Sequence, residues 1–557
     1  MRLPMALLTP GDHGRASEPA RKPLTVRARV APRPEPPRDR LFDPITQDLV
    51  ADGPLAGARF GVRWSDTAAL RALARVKPAP LPVPLATELI EYHQRLGASP
   101  RSLDSLARLA RGEAVCAVAG QQPAPLGGPA YSLHKTATAA GLGTVITERT
   151  GVACVPLFWM HGEDSDFDEI RSATFADPGL TLRERVLPGD AHAPGCLVGS
   201  VPVAPLAELA EEALQAWVGL AGQGEVAGLL RGSFARGRDL GESFSSLLLA
   251  MFADEGLVVV DPRLPAFRAA ARPLLERYLA RAGELAGAAR RAGDWLEAGT
   301  GRRPLSDAAL ESFVFVIEDG SRRKLSPAEA RAMQGARVLS PSVALRAVVQ
   351  DAVFPTVAMA CGPGEVAYLA QLREVFEGLG VAAACPVPRL GVTWLPPAAV
   401  ALVEAAKADP WEVVADTDAI LRRLAEQSVP AGPRADLDLA RSAALHGLER
   451  FAASARDVDA SLPQLVESAR AKVEYQFQRL FEGLTSKVRH RLDRGHPEWP
   501  RLRHYLMPGD RLQERRLASL EVVAYRGRAV VPALCDVAAE HARAIAGGVN
   551  EHFVVEL

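Results

Sequence analysis

From residue 114 the chain alternates short continuous apolar runs with polar breaks and helix-length segments. AVCAVAG (114–120) reads as a buried strand, QQPAPLGGP as a loop, and AYSLHKTATAAGLG as the opening of a helix. ACVPLFWM (153–160) reads as a second strand and ends in the polar burst HGEDSDFDEI. A helix over about 242–254 leads into the strand GLVVVDP (256–262), and TVAMACG (356–362) leads through PGE into the helix EVAYLAQLREVFEGLG. VPRLGVTWL reads as one further strand. Strands that alternate with helices predict an α/β fold built on a doubly wound, mostly parallel sheet. Residues 180–240 and 270–335 read as insertions between its strands, giving a core over 43–400 that opens with helices such as LATELIEYHQRL.

The remaining segments have a different texture. Residues 1–42 are rich in Pro and Arg without a sustained period, and the expectation is an extended arm packed on the core. Residues 401–504 are helical. A helix over Asp436–Asp459 is followed by a cap at Ser461-Leu-Pro463 and a second helix. Its apolar positions Val466, Ala469, Val473, Phe477, Leu480, Leu484 and Val488 step by three and four, marking one helical face about 40 Å long. Two such helices make an antiparallel, coiled-coil-like hairpin, after which 505–557 returns to the core.

Composition narrows the function classes. With 557 residues, 48% hydrophobic and 24% charged, the chain has the makeup of a globular protein. A net charge of −1 argues against a broad nucleic-acid surface, and no uncharged apolar stretch reaches the span of a bilayer. The start, MRLPMALLTPGD, has an apolar run too short for a signal-peptide core, so the expected location is cytoplasmic. The six cysteines lack close spacing, which argues against a zinc ribbon or a disulfide framework. Only seven of the 65 basic residues are Lys, and one of them is Lys135.

Lys135 lies in the first candidate cluster. Gly120-Gln121-Gln122, Gly127-Gly128 and His134-Lys135 follow a strand and open a helix, where glycines admit close approach and the helix terminus attracts anions. The spacing is neither a Walker A motif nor a GxGxxG fingerprint, so a plain structural turn stands beside the phosphate reading. Glu163, Asp164, Asp166, Asp168 and Glu169 form a second cluster just past a strand, where open α/β sheets bind ligands. Such carboxylates could hold Mg²⁺, accept an ammonium group, deprotonate an amine, or simply cap the next helix. His161 beside them reads more naturally as a hydrogen-bonded structural residue. Gly362-Pro363-Gly364-Glu365 forms a third strand-to-helix loop. Three such loops on one sheet edge predict a single crevice.

GQQPAPLGGPAYSLHK followed by PLFWMHGEDSDFDEI resembles the bacillithiol biosynthesis cysteine-adding enzyme family. The likeness continues through FPTVAMACGPGEVAYLAQLREVFEGLGV, PVPRL, VDASLPQLVESARAKVEYQFQRL and GDRLQERR, covering roughly 45–557. The resemblance implies a Rossmann-like core with two connecting insertions, an α-helical coiled coil and a homodimer. It also implies a ligase that joins L-cysteine to the amino group of glucosaminyl-malate, with ATP activating the cysteine carboxyl as an adenylate or acyl phosphate. On that basis His134 and Lys135 stabilise phosphate charge, while Gly120, Gln121, Gln122, Gly127 and Gly128 shape the nucleotide or substrate crevice. Glu163, Asp164 and Asp166 serve the amine or Mg²⁺, and Asp168, Gly362, Gly364, Glu365 and Tyr368 line the same site. Arg389 pairs with the malate carboxylate or makes a structural ion pair. Gln513, Glu514 and Arg515 contact the nucleotide or form a surface helix. The chain departs from the family in carrying Ser165 where His is common, so no role resting on an imidazole there transfers. A nucleotidyl-transfer enzyme acting on another small molecule, and a scaffold using the hairpin, remain as alternatives. No metal is assigned, because a thiol-sensing zinc site finds no close Cys/His spacing to support it.

Overall fold

The computed structural model describes residues 23–31, 43–326, 329, 337–455, 458–459, 461–495 and 497–557. Residues 1–22 and 32–42 of the expected arm, and 327–328 and 330–336 of the second insertion, lie outside the described residues. The strands that position the site are β1 (Val26–Val30), β2 (Val115–Gln121), β3 (Cys154–Met160), β4 (Val258–Val260), β5 (Thr356–Cys361), β6 (Cys385–Pro388), β7 (Gly391–Leu395) and β8 (His552–Glu556). The helices are α1 (Ala130–Thr150), α2 (Val343–Val353), α3 (Pro363–Ala370), α4 (Ala431–Ala455), α5 (Leu462–Gly495) and α6 (Val530–Ala546).

The central sheet is parallel throughout, in the order β6-β5-β2-β3-β4. The chain enters at the middle strand, runs outward through β3 to β4, then crosses back to add β5 and β6 on the other side. This is the Rossmann-like order, and its direction reverses between β2 and β5. Each strand is buried on both faces because successive side chains feed opposite cores. Val115, Ala117 and Ala119 enter one core with Phe158 and Val259, whereas Cys116 and Val118 enter the other with Leu157, Trp159 and Val258.

Helix α1 is buried nearly all round and closes at Gly151, whose φ of 74° gives a left-handed cap. It packs so closely on α6 that a Cβ at Gly141 would lie 2.5 Å from the Ala539 nitrogen. Backbone cannot yield as a side-chain tip can. Gly141→Ala is therefore expected to lower stability by about 1–3 kcal/mol. Urea unfolding checks this, and an unchanged midpoint would refute it.

Two elements differ from the sequence expectation. The run VPRLGVTWL is two strands in two sheets, because the ladder with β5 ends at the Arg389 amide and Leu390 turns its own amide out of it. Arg389 N–H donates to the Cys361 carbonyl at 2.8 Å and Leu390 N–H to Thr138 Oγ1 at 3.0 Å. Beyond that break, β7 pairs parallel with β8, and β8 pairs antiparallel with β1. A described part of the arm is thus an edge strand on the C-terminal strand.

The chain divides into two compact units, 1–397 with 511–557, and 398–510. In the second unit α4 and α5 form the hairpin, and Val466 is buried while Ala469, Val473, Phe477, Leu484 and Val488 are partly buried. Leu480 belongs to the expected stripe but is 59% exposed.

Candidate functional site

The carboxyl ends of β2, β3 and β5 meet at the reversal point of the sheet, and Lys135 spans it. Its Nζ donates to the Gly120 carbonyl at 2.9 Å and to Gln121 Oε1 at 3.3 Å, both at the end of β2. It also lies 2.7 Å from Glu365 Oε2 on α3, just after β5. Glu365 accepts the Gly362 amide at 2.7 Å, so one carboxylate caps α3 and binds the lysine. Gln121 Nε2 donates to the Tyr131 hydroxyl at 2.9 Å, and Tyr368 is partly buried on the same short helix as Glu365.

His134 takes a different course. Neighbouring residues on a helix project about 100° apart, so the residue before Lys135 leaves the crevice. The imidazole is fully buried: Trp394 Nε1 donates to Nε2 at 3.0 Å, and Nδ1–H donates to Glu514 Oε2 at 3.1 Å. Burial holds it below its ordinary pKa, which agrees with a neutral tautomer whose two nitrogens are both engaged. The expected phosphate role for His134 is therefore corrected to a structural one.

Arg389 and Glu514 complete that buried group. Arg389 Nη1 donates to Glu514 Oε2 at 2.9 Å, and its guanidinium lies over the Tyr131 ring at 5.6 Å. Burial pushes the Glu514 carboxyl up, but Arg389 and its hydrogen-bond donors outweigh this and hold it well below the usual carboxylate range. Arg389 thus makes the structural ion pair. Gln513 is engaged inside the core: its amide exchanges hydrogen bonds with the Trp394 backbone at 2.8 and 3.0 Å, while Arg515 is exposed.

The glycine loop also has a packing role. Leu126, Gly127 and Gly128 all have positive φ (54°, 80° and 71°) and are buried. The Ser519 amide donates to the Gly128 carbonyl at 2.8 Å, and a Cβ on Gly127 would sit 3.2 Å from Ser519 Cβ. Gly127 and Gly128 hold the C-terminal segment rather than an open phosphate cradle. Gly120 does face the crevice: a Cβ there would lie 2.6 Å from His161 Nε2, so the imidazole occupies the space that the glycine leaves. Gly364 is exposed, with no neighbour near its missing side chain.

The acidic loop splits by residue. Glu163 is buried and held by Arg268 at 2.7 Å; burial raises its pKa against the opposing arginine. Asp164 is partly buried, accepts the Ser165 amide at 2.8 Å and lies 3.4 Å from Arg322 Nη1. Asp166 accepts the Glu169 amide at 3.2 Å as a helix cap. The Asp168 side chain is 85% exposed beside Arg171, away from the crevice. Gln122 is buried, and its Oε1 has no partner among the described residues.

Several crevice residues carry no signal in the sequence. Arg268, Arg322 and Arg346 lie in the long segment between β4 and β5 and are three arginines among 58. Only the folding-back of that segment singles them out. His161 is partly buried, and burial together with the charges of Arg346, Lys135 and Arg322 holds its pKa well below the ordinary value. Among the described residues no three His, Cys, Asp or Glu side chains gather so as to hold a metal ion.

A family model described as bacillithiol biosynthesis BshC, N-terminal Rossmann-like domain, matches residues 59–390. The protein named "Putative cysteine ligase BshC" in Koribacter versatilis is 30% identical over 82% of this chain and 87% of the relative. Its namesake in Solibacter usitatus is 30% identical over 76% and 82%, and that in Salinibacter ruber 26% over 91% and 96%.

Proposed function

Because the chain belongs to the bacillithiol biosynthesis BshC family, we propose that it joins L-cysteine to the amino group of glucosaminyl-malate with ATP as the activating co-substrate. The observation that carries this reading is the Lys135–Glu365 pair across the reversal point, with Asp164 on the adjoining strand end. A carboxylate is a poor electrophile, and amide formation needs one of its oxygens converted into a leaving group. Lys135 is the buried cation placed to meet phosphate charge as it develops, exchanging Glu365 for the nucleotide. Gly120 and Gln121 fix that cation from below. Asp164 is the carboxylate read as holding the incoming ammonium and taking its proton.

Mg²⁺ fits this donor set as an ion carried by the nucleotide, with Asp164 as the protein oxygen within reach. The enzyme is read as a cytoplasmic homodimer. No helix among the described residues is long and apolar enough to cross a membrane. On the hairpin, Leu439, Phe451, Leu465, Tyr475 and Leu480 expose apolar surface suited to a second copy.

The test is a product assay with glucosaminyl-malate, L-cysteine and ATP-Mg²⁺, read by mass spectrometry. Bacillithiol is expected, with AMP marking the adenylate route and ADP the acyl-phosphate route. Folded, nucleotide-binding protein that forms no bacillithiol would overturn the assignment.

A further inference from the structure

The segment between β4 and β5 brings two arginines to the crevice whose charges are incompletely met. Arg322 stands on the strand Ser321–Lys324, and its side chain is only 8% exposed. Nη2 donates to the Pro341 carbonyl at 2.8 Å and Nη1 lies 3.4 Å from Asp164 Oδ1, while Nε is buried without a partner among the described residues. Phe315 backs the guanidinium, its ring centroid 3.9 Å from Cζ, so the free edge cannot turn that way to find water.

Pro341 ends the strand that leads through Ser342 into α2, and Arg346 stands in the first turns of that helix. A cation there is opposed by the helix dipole and is ordinarily offset by an acid. Arg346 is partly buried, and its guanidinium makes no ion pair or hydrogen bond among the described residues. The Arg322 bond to Pro341 sets its guanidinium just before α2, where the Arg346 amide donates to the Ser342 carbonyl at 2.9 Å; burial and the charge of Arg346 lower the proton affinity of Arg322, and Asp164 opposes them. The neighbouring acids are committed, Glu163 to Arg268 and Glu365 to Lys135. Two like charges held together, one with an orphaned buried donor and one unpaired, form a site for an anion absent from the protein itself.

We propose that Arg322 and Arg346 receive the paired carboxylates of the amine substrate, making the segment between β4 and β5 the element that selects a dicarboxylate-bearing acceptor. The inference rests on the ligase reading only for which molecule bears the carboxylates. A bidentate guanidinium matches a planar carboxylate, and two of them fix a dicarboxylate in one orientation. That orientation would present the amine to Asp164 at the end of β3. Nucleotide phosphates share the same anionic chemistry, so the test separates the two sources.

Binding of L-malate and of inorganic tripolyphosphate to the full chain is measured by calorimetry for wild type, Arg346→Gln and Arg346→Lys. L-malate is expected to bind the wild type, to weaken about tenfold or more in Arg346→Gln, and to recover only in part in Arg346→Lys, with tripolyphosphate unchanged. Since Arg346 has no partner to abandon, Arg346→Gln should keep the wild-type unfolding midpoint. In turnover, the same variant should raise KM for glucosaminyl-malate while leaving KM for ATP unmoved. Absent L-malate binding in wild type, equal L-malate binding by Arg346→Gln, or a loss confined to tripolyphosphate would each overturn the assignment. Because malate binding needs no turnover, it stands or falls separately from bacillithiol formation.

Discussion

Lys135→Met is expected to reduce amide formation by about a thousandfold, because it removes the buried cation at the point where phosphate charge develops. The same change affects stability through a different route. Glu365 would lose its 2.7 Å partner in a site where Lys135 is 6% and Glu365 14% exposed. Breaking one side of such a buried pair costs about 3–5 kcal/mol. The double variant Lys135→Met/Glu365→Gln separates the two effects. It should recover most of the lost stability, since no unpaired charge remains, while turnover stays at the level of the single variant. Chemical denaturation and steady-state product formation on the same samples make the comparison. Turnover restored in the double variant would show that Lys135 acts only by holding Glu365.

Loss of stability on mild acidification is the second large effect. His93, His541 and His552 are buried, and burial lowers each pKa to about 4. His93 shows why. Its Nδ1 faces the Leu89 carbonyl at 2.7 Å, and its Nε2 accepts the Val259 amide at 3.0 Å, so a second proton would break the link to β4. In the unfolded chain each imidazole titrates near about 6.5. Between that value and about 4 the unfolded state binds more protons, so stability falls as pH falls through this window. Each histidine contributes up to about 1.4 kcal/mol per pH unit, and the three together up to about 4. Glu514 acts in a separate window. Its pKa is depressed, so its contribution is present above the ordinary glutamate value and is lost only as pH drops below about 4.5. Urea midpoints measured at pH 7, 6 and 5 should fall steeply; a flat series would contradict the buried neutral assignments.

Much of the architecture is legible along the chain. The runs AVCAVAG, ACVPLFWM and TVAMACG announce parallel strands because a strand covered on both faces has no polar side to alternate with. Their glycine- and acid-rich ends announce the crevice: Lys135 and Glu365 meet there, and Asp164 lies in the loop after β3 against Arg322. VPRLGVTWL could not be divided from sequence, since its break comes where Leu390 turns to Thr138, which is remote in the chain. His134 and Lys135 are adjacent in sequence yet point into different surroundings, the imidazole toward Trp394 and Glu514, the amine toward Glu365. Gln513 and Arg389 look polar enough for a ligand until the fold supplies Trp394 and Glu514 as their partners.

The chain by itself therefore determined most strands of the central sheet, the alternation that stacks them, and the sheet edge at which chemistry collects, because burial period and backbone freedom are local properties. The tertiary structure decided which polar side chains face that edge and which are consumed inside the core. It also decided that Arg322 and Arg346, from the segment between β4 and β5, reach the crevice. Those outcomes depend on partners hundreds of residues away, and a charge or an imidazole has no assigned role until its partner, or the lack of one, is in place.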